Sequence, residues 1–303
     1  MKHKVKVMDM NSRTPYFMFI ASMLIIGTIG IFRRYIPLSS PALAFARGLL
    51  GALSLCVFVK MRGQEVRHGI SGKKLAALIV TGAVLGINWI FLFEAFRYTT
   101  VATATLCYYF QPTIVILSSP LLFQERLTAK KVICAAVAMA GMILVSGVVG
   151  GEQSQTANMK GILFGLAAAV FYSMVVIFNK KIGNVDAYEK TITELFAAAL
   201  VLGPYLLLTE NFTEIQMDAA TAVLLLVVGV IHTGLVYALY FGSMNDLSAQ
   251  AVAVFSYIDP VVAVLVSALV LKEPVSGLEI AGACLIIGAA VASELNPGHN
   301  AAA

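Results

Sequence analysis

Apolar runs of about twenty residues follow one another along nearly the whole chain, and no other feature limits the fold as strongly. A helix needs about 20 mostly apolar residues to cross the hydrocarbon core of a bilayer. Such runs stand at residues 16–35, 40–60, 74–97, 100–123, 129–149, 159–180, 187–208, 218–241, 247–271 and 276–294. The connections are short, and the longest, 60–73 and 150–160, are polar and contain glycine, as loops do. Only 12% of the residues are charged, against about 25% in a soluble domain. No water-facing surface can be assembled from that inventory. The spacing predicts an all-α integral membrane protein of ten transmembrane helices, with the lipid bilayer as its principal partner.

The basic residues set the orientation. With the N-terminus inside, fifteen lysines and arginines fall on inner segments, at 2, 4, 6, 13, 60, 62, 67, 73, 74, 126, 130, 131, 180, 181 and 190. Five fall outside, at 33, 34, 97, 160 and 272, while Arg47 lies within helix 2. This positive-inside bias puts both tails, 1–15 and 295–303, in the cytoplasm of a multi-pass protein of the plasma or inner membrane. The net charge of +5 therefore serves topology and gives no reason to expect nucleic acid. The first run resembles a signal peptide, but no small-residue cleavage site follows it and Arg33-Arg34 closes it, so it is read as the first span. The four cysteines lie inside apolar runs and show neither disulfide nor metal spacing. No Walker loop, metal-ligand spacing or nucleophile–base pair is present, so neither a cofactor nor an enzymatic activity is expected.

An internal repeat appears when the sequence is shifted by 148. Tyr109 meets Tyr257, Pro112 meets Pro260, Leu117 meets Leu265, Ser119 meets Ser267, Leu121 meets Leu269 and Glu125 meets Glu273. Thr128 and Ser276 then cap the next helix, and Ser276-x-x-Glu279 has capping-box form. The shift carries helix 4 onto helix 9, five spans later, and an odd number of spans inverts the second copy. Two inverted five-helix repeats, 16–149 and 159–294, are expected around a central cavity, the plan of many secondary transporters.

The stretches YTTVATATLCYYFQPTIVILSSPLLFQERLT and LSAQAVAVFSYIDPVVAVLVSALVLKEPVS resemble the second half of an EamA-type repeat, and Arg47 in SPALAFARGLL matches an arginine the family tends to carry in helix 2. EamA proteins belong to the drug/metabolite transporter superfamily. The resemblance implies a cavity lined largely by helices 3, 4, 8 and 9, with helices 5 and 10 peripheral. It also implies transport, often export, of amino acids or other small metabolites.

Pro112 and Pro260 each remove a backbone donor and displace the carbonyl four residues earlier, those of Tyr108 and Ser256, which makes them candidate hinges. Asp259 precedes Pro260 near the centre of helix 9, where an ionised carboxylate costs about 2.5–3.5 kcal/mol on insertion scales. With no basic residue expected at its depth, it is the leading candidate to bind a proton or a cationic substrate group; its repeat mate is the neutral Gln111. His232 in helix 8 can exchange a proton or bond across helices. Arg47 and Glu94 are expected as an ion pair or gate, with Glu194 at the position mirroring Arg47. Trp89, Tyr108, Tyr109, Tyr237, Tyr240 and Tyr257 supply aromatic faces, and Trp89 and Tyr237 correspond at the repeat offset. With Asn88, most of these complete the candidate cavity. Gly82-x-x-x-Gly86 and Gly161-x-x-x-Gly165 are expected to let helices approach closely.

The residues favour a secondary transporter that exports a small polar or amphipathic metabolite by alternating access, coupled to protons. Uptake of an organic cation, and a passive channel or scramblase, are the alternatives. A reporter active only in the cytoplasm should give signal when fused after residue 66, after 184 and at the C-terminus, and none after 154 or 214. A bright fusion at 154 with a silent C-terminal one overturns the orientation.

Overall fold

The computed structural model describes residues 14–63, 70–123, 128–145, 155–182, 185–210, 217–244, 246–247 and 255–294. Every regular element among them is helical. In chain order these are α1 (Thr14–Tyr35), α2 (Ser40–Met61), α3 (Gly72–Tyr98), α4 (Val101–Tyr108 and Gln111–Phe123) and α5 (Ala129–Val145). They continue as α6 (Gln155–Ile182), α7 (Ala187–Thr209), α8 (Ala219–Leu226, Val227–Leu235 and Val236–Met244), α9 (Ile258–Leu269) and α10 (Gly277–Glu294). Among the described residues seven helices are long and apolar enough to cross a membrane. The apolar parts of α5, α9 and α10, namely Val132–Leu144, Ile258–Leu269 and Gly277–Ala289, are shorter. The twelve residues of α9 rise about 18 Å at 1.5 Å each, well short of the roughly 30 Å of a hydrocarbon core. The expected first part of helix 9 at 248–254 lies outside the described residues, as do Glu125, residues 1–13 and the tail 295–303.

The surface is as apolar as the interior. Leu121, Leu208, Phe17, Leu207 and Leu269 are each more than 70% exposed, which only a lipid surround tolerates at that density. The polar groups Ser22, Arg47, Asn88, Thr233, His232 and Glu194 are buried instead.

Four helices are irregular where they pass the middle of the bundle. The α1 segment breaks at Gly27–Thr28. A Cβ on Gly27 would stand 2.7 Å from Val262 Cβ and 2.8 Å from the Asp259 carbonyl oxygen, so only glycine lets α1 approach α9 this closely. In α4 the chain turns at Tyr109 and Phe110, just before Pro112, and the chain turns again at Tyr257, just before Pro260. Both prolines thus produce full interruptions. The expected continuous helix 8 is instead wound as a π-helix over Val227–Leu235. There the Thr233 hydroxyl donates to the carbonyl of Val228, five residues back, at 3.0 Å. The same segment packs its Gly229 and Gly234 against Leu50 and Ser54 of α2.

Side-chain caps fix several helix starts, as sequence chemistry requires. Ser39, Thr100, Asp186 and Asp218 accept from the backbone of α2, α4, α7 and α8 respectively. At α10 the expected capping box forms: Glu279 N–H donates to Ser276 Oγ at 3.1 Å and Ser276 N–H to Glu279 Oε2 at 2.7 Å. Both expected small-residue pairs are packing surfaces. Gly82 meets Glu194 and Ala197 of α7, and Gly165 meets Cys107 of α4. At the edge of the bundle α5 and α10 pack on one another, where a Cβ on Gly141 would stand 2.8 Å from the Gly282 carbonyl.

Gly82→Val should lower the melting temperature, because overpacking costs about 1–3 kcal/mol. Gly288→Ala, where nothing lies within 4 Å, should be neutral or slightly stabilising through helix propensity. Equal melting of the two variants would sink this account of the α3–α7 contact.

Candidate functional site

The two interrupted helices meet at the centre. The Tyr109 hydroxyl, at the turn in α4, donates to Asp259 Oδ2 at 2.6 Å and lies 3.3 Å from the carbonyl oxygen of Ser256. That carbonyl lies four residues before Pro260, whose ring nitrogen carries no N–H. The rings of Tyr109 and its repeat mate Tyr257 are 6.1 Å apart. Asp259 itself lies in the first turn of α9, where unpaired backbone N–H groups favour negative charge.

Arg47 faces this pair from α2. It is buried, with its guanidinium 4.4 Å above the Trp89 ring and 5.9 Å from Phe93, and its Nε donates to Thr233 Oγ1 at 3.0 Å. The Thr233 hydroxyl in turn donates its hydrogen bond to the Val228 carbonyl, so the π-helical turn orients the oxygen that accepts from the arginine. Tyr237, Tyr108, Tyr172 and Asp259 all lie within electrostatic range of Arg47. The expectation that Asp259 has no basic residue near it is therefore corrected: α2 delivers one that local spacing in α9 cannot reveal. Of the repeat mates Trp89 and Tyr237, Trp89 lies against the guanidinium and Tyr237 is within its electrostatic range.

Tyr108 continues the aromatic wall, with ring centroids 5.4 Å from Tyr172 and 6.0 Å from Tyr109. Tyr108, Tyr109, Tyr172, Tyr237 and Asp259 are each only half-buried although they stand deep among the helices. Arg47 and Asp259 are opposite charges within electrostatic range of one another, with the Trp89 ring against the guanidinium.

Other expected residues lie elsewhere. His232 is buried, bonded through Nε2 to Thr28 Oγ1 at 2.9 Å and set edge-on to Phe32 at 4.5 Å, so it fastens α8 to the break in α1. Asn88 donates to the Ala168 carbonyl at 2.6 Å, between α3 and α6. Gln111 is half-buried, and its carbonyl accepts from Ser173 Oγ at 3.2 Å. Tyr240 stacks on Phe19 of α1, with centroids 5.1 Å apart.

The expected Arg47–Glu94 ion pair does not form. Glu94 pairs with Arg97 at 3.0 Å and accepts from Ser40 Oγ at 2.5 Å. Arg47 stands seven residues beyond Ser40 along α2, about 10 Å at 1.5 Å per residue, which is out of reach. Nor, among the described residues, does Glu194 form an ion pair with Arg47. An ion pair across the bundle exists instead between Arg34 and Glu273 at 2.5 Å. Lys272 takes a left-handed backbone (φ 53°), and the chain folds back so that Glu273 N–H donates to the Ser267 carbonyl. The Glu273 carboxylate also accepts from the Val101 N–H at 2.8 Å and from Ser267 Oγ at 2.5 Å. It thereby ties the ends of α1 and α9 to the start of α4.

Sequence reasoning also missed Tyr172 and Thr233. A tyrosine inside AAAVFYSMVV and a hydroxyl next to His232 were the available signals.

A family model described as the EamA-like transporter family matches residues 13–147 and again 159–293. The chain belongs to this family. It is an integral membrane transporter and not an enzyme. It is 27% identical over 266 residues to the protein named "Uncharacterized transporter YxxF" of Bacillus subtilis, covering 88% of this chain and 84% of that one. It is 29% identical over 175 residues to a "Probable amino-acid metabolite efflux pump" of Salmonella typhimurium, covering 54% and 58%. A solved crystal structure aligns with a TM-score of 0.67 over 92% of this chain and 96% of the other at 20% identity, which shows a common fold.

Thr233→Val keeps the shape but leaves the Arg47 Nε donor without its acceptor, a loss of about 1–3 kcal/mol for a buried group. The variant should melt at lower temperature than the parent, and Thr233→Ser should recover most of the difference. If Val melts like the parent, the hydroxyl does not hold Arg47.

Proposed function

We propose that this EamA transporter carries a small zwitterionic or amphipathic metabolite out of the cell by alternating access, coupled to protons, through the space between Arg47 and Asp259. The reading rests on the buried Arg47 and the Asp259 carboxylate lying within electrostatic range of one another, with Tyr109 bonded to Asp259 where the chain turns before Pro260. A solute carboxylate would meet Arg47 and an amine would meet Asp259, the polarity an amino acid presents. Names of relatives that mention amino-acid metabolite efflux point the same way. The fixed charge of Arg47 weighs against an organic cation as solute.

All ten helices cross the membrane in this reading, as two inverted five-helix repeats with both termini cytoplasmic. Support comes from the double match of the family model, the mated turns at Tyr109 and Tyr257, and the placement of Trp89 and Tyr237 beside one arginine. Pro112 and Pro260 act as hinges, since a helix already interrupted bends without losing further backbone bonds. The Arg34–Glu273 ion pair closes the end of the bundle that the basic-residue bias places outside. When Asp259 takes a proton it no longer attracts Arg47, and the two states then differ in their affinity for the solute. A ligand shifts an equilibrium only through such a difference.

A thermal-shift screen of amino acids, amines and nucleosides identifies the solute, since binding to the folded state raises the melting temperature. In proteoliposomes loaded with that solute, Asp259→Asn should fold and insert normally but lose accumulation driven by a pH gradient, while retaining exchange of solute on both sides. Accumulation equal to the parent's would make Asp259 structural.

A further inference from the structure

Arginines gather where α1 ends and the chain turns into α2. Arg33 and Arg34 stand in the last turn of α1 and Arg97 in the last turn of α3, where unpaired backbone carbonyls favour cations. With Pro37 and Phe96 they line a cavity of about 290 Å3. Arg33 is only 5% exposed, yet among the described residues no carboxylate lies within ion-pair distance of it. Its guanidinium donates to neutral oxygens instead: the carbonyls of Phe93 at 3.4 Å and Ile36 at 2.9 Å, and Ser40 Oγ at 3.3 Å.

The carboxylates nearby are already engaged. Glu273 pairs with Arg34 and also accepts from the Val101 N–H and Ser267 Oγ. Glu94 pairs with Arg97 at 3.0 Å and accepts from Ser40 Oγ, so it reaches Arg33 only through that hydroxyl. Arg34 and Arg97 both lie within electrostatic range of Arg33. Three guanidinium groups against Glu94 and Glu273 leave one positive charge in excess at the cavity. A buried charge without a counter-ion is costly. Donors are also to spare: among the described residues Arg97 donates only through Nη1 and Arg34 only through Nη2. Their side chains are 52% and 32% exposed, so a ligand can reach them.

We propose that this cavity binds a small oxyanion, the carboxylate or phosphate group of a larger molecule or of a free ion. The planar guanidinium fork matches either group with paired hydrogen bonds. One negative charge, that of a carboxylate or a phosphate diester, cancels the excess and gives Arg33 the counter-ion it lacks. The volume is at the lower edge of the roughly 300–1,000 Å3 of small-molecule pockets, which suits a head group. A metabolite carboxylate and the phosphate of a lipid present the same chemistry here. A role in releasing solute rests on the transport reading above; the existence of the site does not.

Melting of the full chain in maltoside micelles, which carry no phosphate, tests the site. The probes are sodium acetate and sodium phosphate, each against sodium chloride of equal ionic strength, and phosphatidylglycerol against phosphatidylcholine. At least one probe should raise the melting temperature of the parent saturably, since binding to the folded state stabilises it. Arg97→Gln should weaken that response about tenfold or more, as loss of charge-assisted bonds does, and Arg97→Lys should recover part of it. Lys160→Gln removes a charge near the Tyr98 ring, off the cavity, and should respond like the parent. A response to acetate or phosphate identifies a free oxyanion, and a response to phosphatidylglycerol alone identifies a lipid head group; both uphold the site. No saturable response to any probe, an undiminished response in Arg97→Gln, or an equal loss in Lys160→Gln overturns it. Neither transport nor a pH gradient enters the measurement, so failure of the transport reading and failure of this one are distinguishable.

Discussion

Backbone groups inside a membrane protein find no water to bond to, and each unpaired one costs several kcal/mol. This constraint governs the centre of the molecule. Pro260 takes the carbonyl of Ser256 out of its helix, and the chain turns at Tyr257 as a result. The Tyr109 hydroxyl, from the corresponding turn of α4, comes within 3.3 Å of that carbonyl and donates to Asp259 at 2.6 Å. The π-helical stretch of α8 answers the same requirement differently. There the carbonyls of Val227 and Val228 meet the side chains of His232 and Thr233, five residues on. In each case irregular backbone is bordered by a polar side chain.

The buried arginine depends on that scaffold. A guanidinium out of water must be compensated, and Arg47 obtains this from the Trp89 face, the Thr233 hydroxyl and the nearby Asp259. Close approach of α2 to α8, through the packing of Gly229 and Gly234 on Leu50 and Ser54, brings these partners together. Glycines elsewhere act alike: Gly27 admits α1 to α9 and Gly82 admits α3 to α7. Small residues therefore set the helix spacing, and the spacing sets which charges meet.

At the end of the bundle marked by Arg33 and Arg34, the charges are more exposed and their pairing is of another kind. Glu94 and Arg97 lie one turn apart on the same helix, whereas Glu273 joins three helices. Pairs of the first kind contribute little to stability. The second kind holds separate elements, α1, α4 and α9, in one arrangement.

The sequence by itself determined that this chain is a helical membrane protein of the EamA family, and it marked Asp259, Tyr108, Trp89 and Tyr237 as candidate site residues and Arg47 as a candidate gate. It did so because apolar run length, proline position and repeat offset are local quantities that survive in one dimension. The capping box at Ser276–Glu279 was legible for the same reason, since both partners lie within four residues. Only the tertiary structure decided the partners: Arg47 with Trp89 and Thr233 instead of Glu94, Arg34 with Glu273, and Tyr172 with Tyr108. The π-helix also stayed hidden, because it arises where α8 presses its glycines against α2 and not from the propensity of its own residues. Long-range pairing depends on helix depth and rotation, and glycine contacts between distant segments fix both, so no spacing along the chain encodes them.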